Sequence, residues 1–185
     1  MAEETKQALA ESLMLVLQKK PLDKVTISDV TSLCNVNRQT FYYHFHDLND
    51  LINWIYITNG EQIIGAHLTN TTWQKGLLDI MRSMQKYEAF VLQTYHSRAR
   101  DLLRTLLLKS CKSVILGVIN DMKQYEIAKE DRDFISSLYS YSITGTVLDW
   151  IEHGMKENPS SLVGKMDKAL HGSIIEAASR FAKEN

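Results

Sequence analysis

The chain has 185 residues, 44% of them hydrophobic, with two Pro and eight Gly that gather into no linker. That is enough apolar material for one large helical domain, or for a small domain joined to a larger one. A formal net charge of −1 is not the profile of a nonspecific polyanion binder. No basic start leads into an apolar run and no apolar stretch reaches membrane-spanning length, so a cytoplasmic, membrane-free protein is expected. Cys34 and Cys111 lie far apart and show no CxxC or Cys/His spacing, which suits reduced, buried thiols.

Residues 5–19 read as an amphipathic helix with Leu9, Leu13, Val16 and Leu17 on one face, ended by Pro21. Thr26 is suited to cap a second helix, with Asp29 as its capping-box partner. Ile27, Val30 and Leu33 would form that helix's apolar face. Cys34-Asn35-Val36 is short enough for a tight turn, and Asn35 tolerates the left-handed backbone such turns need. Asn37 then caps a third helix beginning at Arg38. Phe41 and Phe45, four apart, are expected to anchor it inward.

Arg38, Gln39, Thr40, Tyr42, Tyr43 and His44 are left as a contact face, with Asn37 at its edge. A helix this short, carrying those side chains, is better explained by something it touches than by a core. Major-groove DNA fits. Arg and Gln form bidentate pairs with guanine and adenine, and hydroxyl groups bond phosphate oxygens. Thr26 and Ser28, at the start of the preceding helix, can aim N–H groups and hydroxyls at a phosphate.

Asp47 can cap a fourth helix, with Asp50 in its first turn and Leu48, Leu51, Ile52 and Ile55 on its apolar face, beside Trp54 and Tyr56. The pattern carries this connecting helix over residues 47–67. Asn70-Thr71-Thr72 is a polar break, and the next helix starts at Trp73 with Leu77, Leu78, Ile80, Met81 and Met84. A bend near Tyr87-Glu88 separates it from a short helix to Tyr95. Residues 98–123 are apolar on most sides, as in a helix central to its domain. Residues 130–156 carry Phe134, Leu138, Tyr141, Gly145 and Leu148 on one face, among serines. A final helix follows Pro159, with Leu162, Met166, Leu170 and Ile174 at steps of four and small residues between them. Two such helices from each of two chains would make a four-helix bundle. No strand pattern, internal repeat or low-complexity tract is evident.

Other chemistry is poorly supported. Six His residues show no HxxxH, HExxH or Cys/His pairing, so no metal or other cofactor is expected. No GxSxG, phosphate loop or paired-carboxylate motif points to an enzyme. Trp73, Met81, Met84, Tyr87, Phe90, Tyr95, Met122 and Tyr125 could line a ligand cavity, although aromatic and Met residues at helical spacing are more often core.

The string Val36 to Phe45, V-N-R-Q-T-F-Y-Y-H-F, resembles the recognition-helix signature of TetR-type transcription factors. The preceding amphipathic helix, the Pro-containing link and V-T-I-S-D-V also match. The aromatic-rich third helix, Leu51-Ile52-Asn53-Trp54-Ile55 and the short C-terminal region further resemble a DhaS-like subgroup that regulates dihydroxyacetone-kinase genes. The resemblance implies an all-α protein. A three-helix helix–turn–helix domain at 1–46 would be joined to a regulatory and dimerisation domain at 70–185. It implies a homodimer, formed through the last two helices, that binds a palindromic duplex and answers to a small molecule or a co-regulator protein. It assigns Thr40, Tyr42 and His44 to the DNA backbone.

Two features depart from that pattern. The family commonly has a phosphate-binding Lys at the start of the fourth helix, where this chain has Leu48. Residues 1–50 carry Lys6, Lys19, Lys20, Lys24 and Arg38 against seven carboxylates, a balance of −2. A DNA-binding domain usually shows a positive footprint. Two other classes therefore stand beside the first: a helical interaction module that has lost DNA binding, and a small-molecule-binding protein.

Overall fold

A computed structural model of the chain describes residues 2–64 and 73–182. Within them the backbone forms ten α-helices and no strand; an isolated antiparallel bridge joins Ile127 to Ala182. No helix among the described residues is long and apolar enough to cross a membrane. The chain divides into two compact units, Met1–Gly60 with Tyr87–Leu103, and Glu61–Lys86 with Arg104–Asn185.

In the first unit, α1 (Ala2–Leu17) buries the expected row Leu9, Leu13, Val16 and Leu17 and packs on α2 (Ile27–Leu33), α3 (Arg38–His44) and α6 (Glu88–Tyr95). A single 3-10 turn, Leu22–Lys24, follows Pro21 and returns the chain to α2. Asn35 sits at φ 53°, the left-handed position that the turn between α2 and α3 requires. α4 (Leu48–Ile64) buries Leu51, Ile52 and Ile55, and its Tyr56 ring lies 5.0 Å from Phe90 of α6. Burial raises the pKa of the Tyr56 phenol despite a hydroxyl neighbour at Thr94. The expected run of this helix to His67 and the break at Asn70–Thr72 lie outside the described residues.

One expectation in α2 is corrected. Val30 is fully buried, but Leu33 is exposed and Thr31 takes its place inside. A spacing of three falls about 60° short of a full helical turn. Two such steps carry Leu33 away from the buried side, and Thr31, adjacent to Val30, rotates in.

In the second unit, α5 (Trp73–Lys86) turns Leu77, Met81 and Met84 inward and packs on α9 (Pro159–Leu170), where Gln74 Nε2 donates to Asp167 Oδ1 at 2.8 Å. α7 (Arg100–Asn120) starts in the first unit and continues into the second. It is not buried all round as its composition suggested. It buries a row through Leu103, Leu107, Ile115, Val118 and Ile119 and leaves Asp101, Arg104 and Lys109 exposed.

α8 (Lys129–Glu152) turns Ile135, Ser136, Ser140, Ile143, Thr144, Val147, Trp150 and Ile151 inward. The buried hydroxyls of Ser136 and Ser140 donate back to the carbonyls of Asp133 and Ser136, which satisfies them within the helix. The final helix expected after Pro159 is two. α9 is capped by Asn158 with Pro159 in its first turn, and the chain breaks at His171-Gly172, where Gly172 adopts φ 71° and starts α10 (Ser173–Arg180). Of the four-step row, Leu162, Met166 and Ile174 are buried and Leu170 is half-buried.

Candidate nucleic-acid interface

Sequence alone dictates the start of α2. Thr26 Oγ1 accepts the Asp29 N–H at 3.2 Å, and Asp29 Oδ2 accepts the Thr26 N–H at 2.7 Å, closing a capping box. The same Oδ2 also receives the Thr26 hydroxyl at 2.7 Å and Lys20 Nζ at 2.6 Å. With Lys20 as the largest cause, followed by the Thr26 bonds, the Asp29 carboxyl is held at a pKa of about 2. Lys20 was not anticipated in this role; nine residues of separation carry no periodic signal. Consequently the Thr26 hydroxyl is already engaged in both directions, while Ser28 beside it is exposed.

α3 is built in the same way. Asn37 Oδ1 accepts the Thr40 N–H at 2.7 Å and the Thr40 hydroxyl at 3.0 Å, which fixes the first turn. Phe41 and Phe45 are 0% and 3% exposed, with ring centroids 5.9 Å apart, and Phe45 meets Trp54 of α4 at 6.0 Å. These three rings seat α3 on the rest of the unit.

Rotation at about 100° per residue follows from that seat. Gln39 and Tyr43 point most directly away from Phe41. Arg38 and Tyr42 lie on one flank, Thr40 and His44 on the other. Exposure follows this order: Tyr43 is 83% exposed and Tyr42 51%, Arg38 and Gln39 are exposed, and Thr40 and His44 are half-buried. The His44 ring leans on Tyr43, with centroids 5.0 Å apart. Asn37, Gln39, Thr40 and Tyr43 border a shallow open hollow. Six side chains from Arg38 to His44 thus share one small helix, about 10 Å long at 1.5 Å per residue. That length suits a groove about 12 Å wide. Thr26 and Ser28 stand on the separate start of α2.

The start of α4 is a second reciprocal cap. Asp50 N–H donates to Asp47 Oδ1 at 2.9 Å, and His46 N–H donates to Asp50 Oδ2 at 3.1 Å. Three carboxylates of this acidic unit, Asp29, Asp47 and Asp50, are therefore spent on helix starts. Leu48, where a Lys was expected, is half-buried. It shares a cleft with Thr26, Asn49 and Arg98. Arg98 is 50 residues from Leu48 in sequence (98 − 48), and nothing local to either segment signals that they meet.

Trp73, Leu77, Leu107, Cys111, Ile143 and Thr144 are among the residues around an apolar cavity of about 50 Å³. Of the eight residues considered as a lining, Trp73 alone borders it; Met81, Met84, Phe90, Tyr95 and Met122 are core. Burial raises the Cys111 thiol pKa, offset in part by Thr144, whose hydroxyl makes no well-formed hydrogen bond. Both cysteines are free and only partly covered. Among the described residues no cluster of His, Cys, Asp and Glu is arranged to hold a metal ion.

A different surface stands out on α8. Phe134, Leu138 and Tyr141 are 57%, 55% and 58% exposed, and Gly145 and Leu148 continue their row at alternating steps of four and three. Ile175 and Phe181 beyond the α9–α10 break are also exposed, and the Phe181 ring lies 6.2 Å from Phe134.

Comparison with known proteins adds to this geometry. Residues 71–172 match the family model TetR_C_8, described as a transcriptional regulator C-terminal region. The HTH-type dhaKLM operon transcriptional activator DhaS of Lactococcus lactis subsp. lactis (strain IL1403) is 24% identical over 86 residues. That stretch covers 46% of this chain and 46% of the relative, so the match spans about half of the relative's length. Among solved structures, a dihydroxyacetone kinase operon activator DhaS superposes with a TM-score of 0.72 at 18% identity, over 97% of this chain and 98% of that one. NalD, the secondary repressor of the MexAB-OprM multidrug efflux pump in Pseudomonas aeruginosa, gives 0.59 at 13% identity over 100% of both chains.

Proposed function

The chain belongs to the TetR-type family of transcriptional regulators, and from that premise we propose that it is a homodimeric, sequence-specific reader of duplex DNA. The observation that carries the reading is α3. Its two Phe residues are spent on anchoring, and the rest of its surface is Arg, Gln, Thr, Tyr and His, with Gln39 and Tyr43 exposed among the described residues.

Arg38 and Gln39 are the base readers in this proposal, since both can make bidentate contacts. Thr40, Tyr42, Tyr43 and His44 hold the sugar–phosphate backbone, together with Ser28 and the Asn37 cap, while Thr26, whose N–H and hydroxyl both donate to Asp29, fixes the start of α2 that presents Ser28. Residues 1–46 act as the reading head and residues 70–185 as the regulatory and dimerising part. The α8 row supports the dimer. Alternating steps of four and three keep one apolar seam facing a partner helix, and a two-fold copy would place recognition helices about 34–36 Å apart on a palindromic site. The similarity to DhaS supports a target of the dihydroxyacetone-kinase type, under control of an effector. That effector is a small molecule or a co-regulator protein; the apolar cavity of about 50 Å³ beside Trp73 is by itself small against the roughly 300–1,000 Å³ of ordinary ligand sites.

A fluorescence titration with duplex from the promoter beside its own gene tests the reading. Saturable, sequence-dependent binding at low salt is expected. Arg38→Ala should cost about 1–3 kcal/mol and relax preference at one base position. Binding that is absent, or equal for every sequence, overturns it.

A further inference from the structure

We propose that Arg98, in the turn between α6 and α7, supplies the DNA-phosphate contact that Leu48 cannot make. The inference rests on the reading above that α3 lies in the major groove, and it extends the interface beyond the helix–turn–helix.

A cleft of about 350 Å³ opens in the first unit, with Asp23, Thr26, Leu48, Asn49 and Arg98 on its walls. The segments that meet there are the start of α2, the start of α4 and the turn 97–99. In the reading above Ser28 at the start of α2 meets the DNA backbone, and the start of α4 lines the same cleft as Thr26 and Ile27. Of the residues around this cleft, Arg98 is the one with a cationic side chain.

The main chain beneath Arg98 is fixed. Its N–H donates to Asp23 Oδ1 at 3.3 Å, the Ala99 N–H donates to Ser97 Oγ at 3.1 Å, and the Ser97 hydroxyl donates to the Thr94 carbonyl at 2.9 Å. Ala99 is buried, whereas Arg98 is exposed. No ion pair or side-chain hydrogen bond engages its guanidinium among the described residues. Arg100, two positions on, is committed instead: its Nη2 donates to Tyr95 Oη at 2.5 Å, and its guanidinium sits 4.2 Å above the Tyr95 ring. One arginine of the pair is engaged by Tyr95, and the other stands on a firm base.

Asp23 and Asp47 also border the cleft and would repel a phosphate. Each already accepts a backbone N–H, from Arg98 and Asp50 respectively. Repulsion between exposed charges that are not in contact is screened by salt. A guanidinium touching a phosphate makes paired, charge-assisted hydrogen bonds and releases a condensed counterion, which is what a salt series reads.

The test measures the affinity of the full chain for labelled promoter duplex across a salt series, for the wild type and variants. Arg98→Ala should weaken binding to all sequences alike and lower the slope of log affinity against log salt by about one. Leu48→Lys, placed in the Arg98→Ala background, should restore the slope, because both positions face the same cleft. Arg100→Gln should leave it unchanged. If Arg98→Ala lowers the melting temperature, Arg98→Gln, which keeps much of the stem, carries the same expectation. A wild type that binds DNA and an Arg98 variant with the same slope overturn the inference and leave the groove reading standing. A wild type that binds no DNA overturns both.

Discussion

Phe134, Leu138 and Tyr141 on α8 each leave more than half of their surface open, and so do Tyr42 and Tyr43 on α3. The two surfaces nevertheless differ in every other respect. On α3 the exposed rings end in hydroxyls, stand among Arg38, Gln39 and Thr40, and cover a helix of seven residues seated by buried Phe41 and Phe45. On α8 the exposed side chains are mainly hydrocarbon and repeat along a helix of 24 residues whose opposite side is already a packed core. A short polar helix resting on aromatic anchors suits a partner read by hydrogen bonds. A long apolar seam on a second side of a core helix suits another apolar surface, since contiguous exposed patches of this kind mark contact sites. Exposure of large side chains thus means different things in the two units, and composition and period distinguish them.

The contrast can be broken at three levels. Phe41→Ala removes a ring with no exposed surface and should cost about 3–5 kcal/mol of head stability, read by urea unfolding, with DNA binding lost as α3 comes off its seat. An unchanged midpoint would mean that α3 is held by something other than its anchors. Leu138→Glu should leave the unfolding of the chain itself little altered at low concentration and convert the proposed dimer to monomer in light scattering. A variant that stays dimeric would move the interface off the α8 seam. Thr26→Ala should be milder, about 1 kcal/mol for the lost cap. Tyr43→Phe, at the tip of the other surface, should leave stability alone and weaken DNA binding modestly.

The finest effect is a pH dependence. Asp29 is held at a pKa of about 2, below the ordinary 3.8. A lowered carboxyl pKa contributes stability that is complete above the unfolded value and is lost as pH falls from about 4 toward 2. Lys20→Met removes the largest cause of that lowering. It should reduce stability at neutral pH and flatten the slope of stability against pH between about 4 and 2, as thermal melts in dilute buffer can show. An identical slope would assign the low pKa to the Thr26 bonds alone.

Much of this was legible because it is local. Caps at Thr26, Asn37 and Asp47, the left-handed Asn35 and the inward Phe41 and Phe45 follow from side chains reaching three or four residues along the chain. What was not legible depends on rotation or on distance in sequence. Leu33 left the core because seven residues allow its phase to drift. The final helix broke at Gly172, which a stripe of small residues could equally have accommodated as close packing. The association of residues 87–103 with the N-terminal unit, and of Arg98 with Leu48, joins segments with no shared periodicity.

Gly145 carries a consequence for how this protein would respond to mutation. It sits mid-helix in the α8 row, and a Cβ placed there would meet nothing within 4 Å. For the single chain the glycine is a disadvantage, since alanine in a helix interior is favoured by about 0.5–1 kcal/mol. A survey that scored only the melting of the lone subunit would rank this position among the freest to change, and even among those worth improving. If the α8 row is the proposed dimer seam, a survey that counted assembled copies would rank bulky replacements there among the worst, and the same residue would be invisible to one selection and essential to the other.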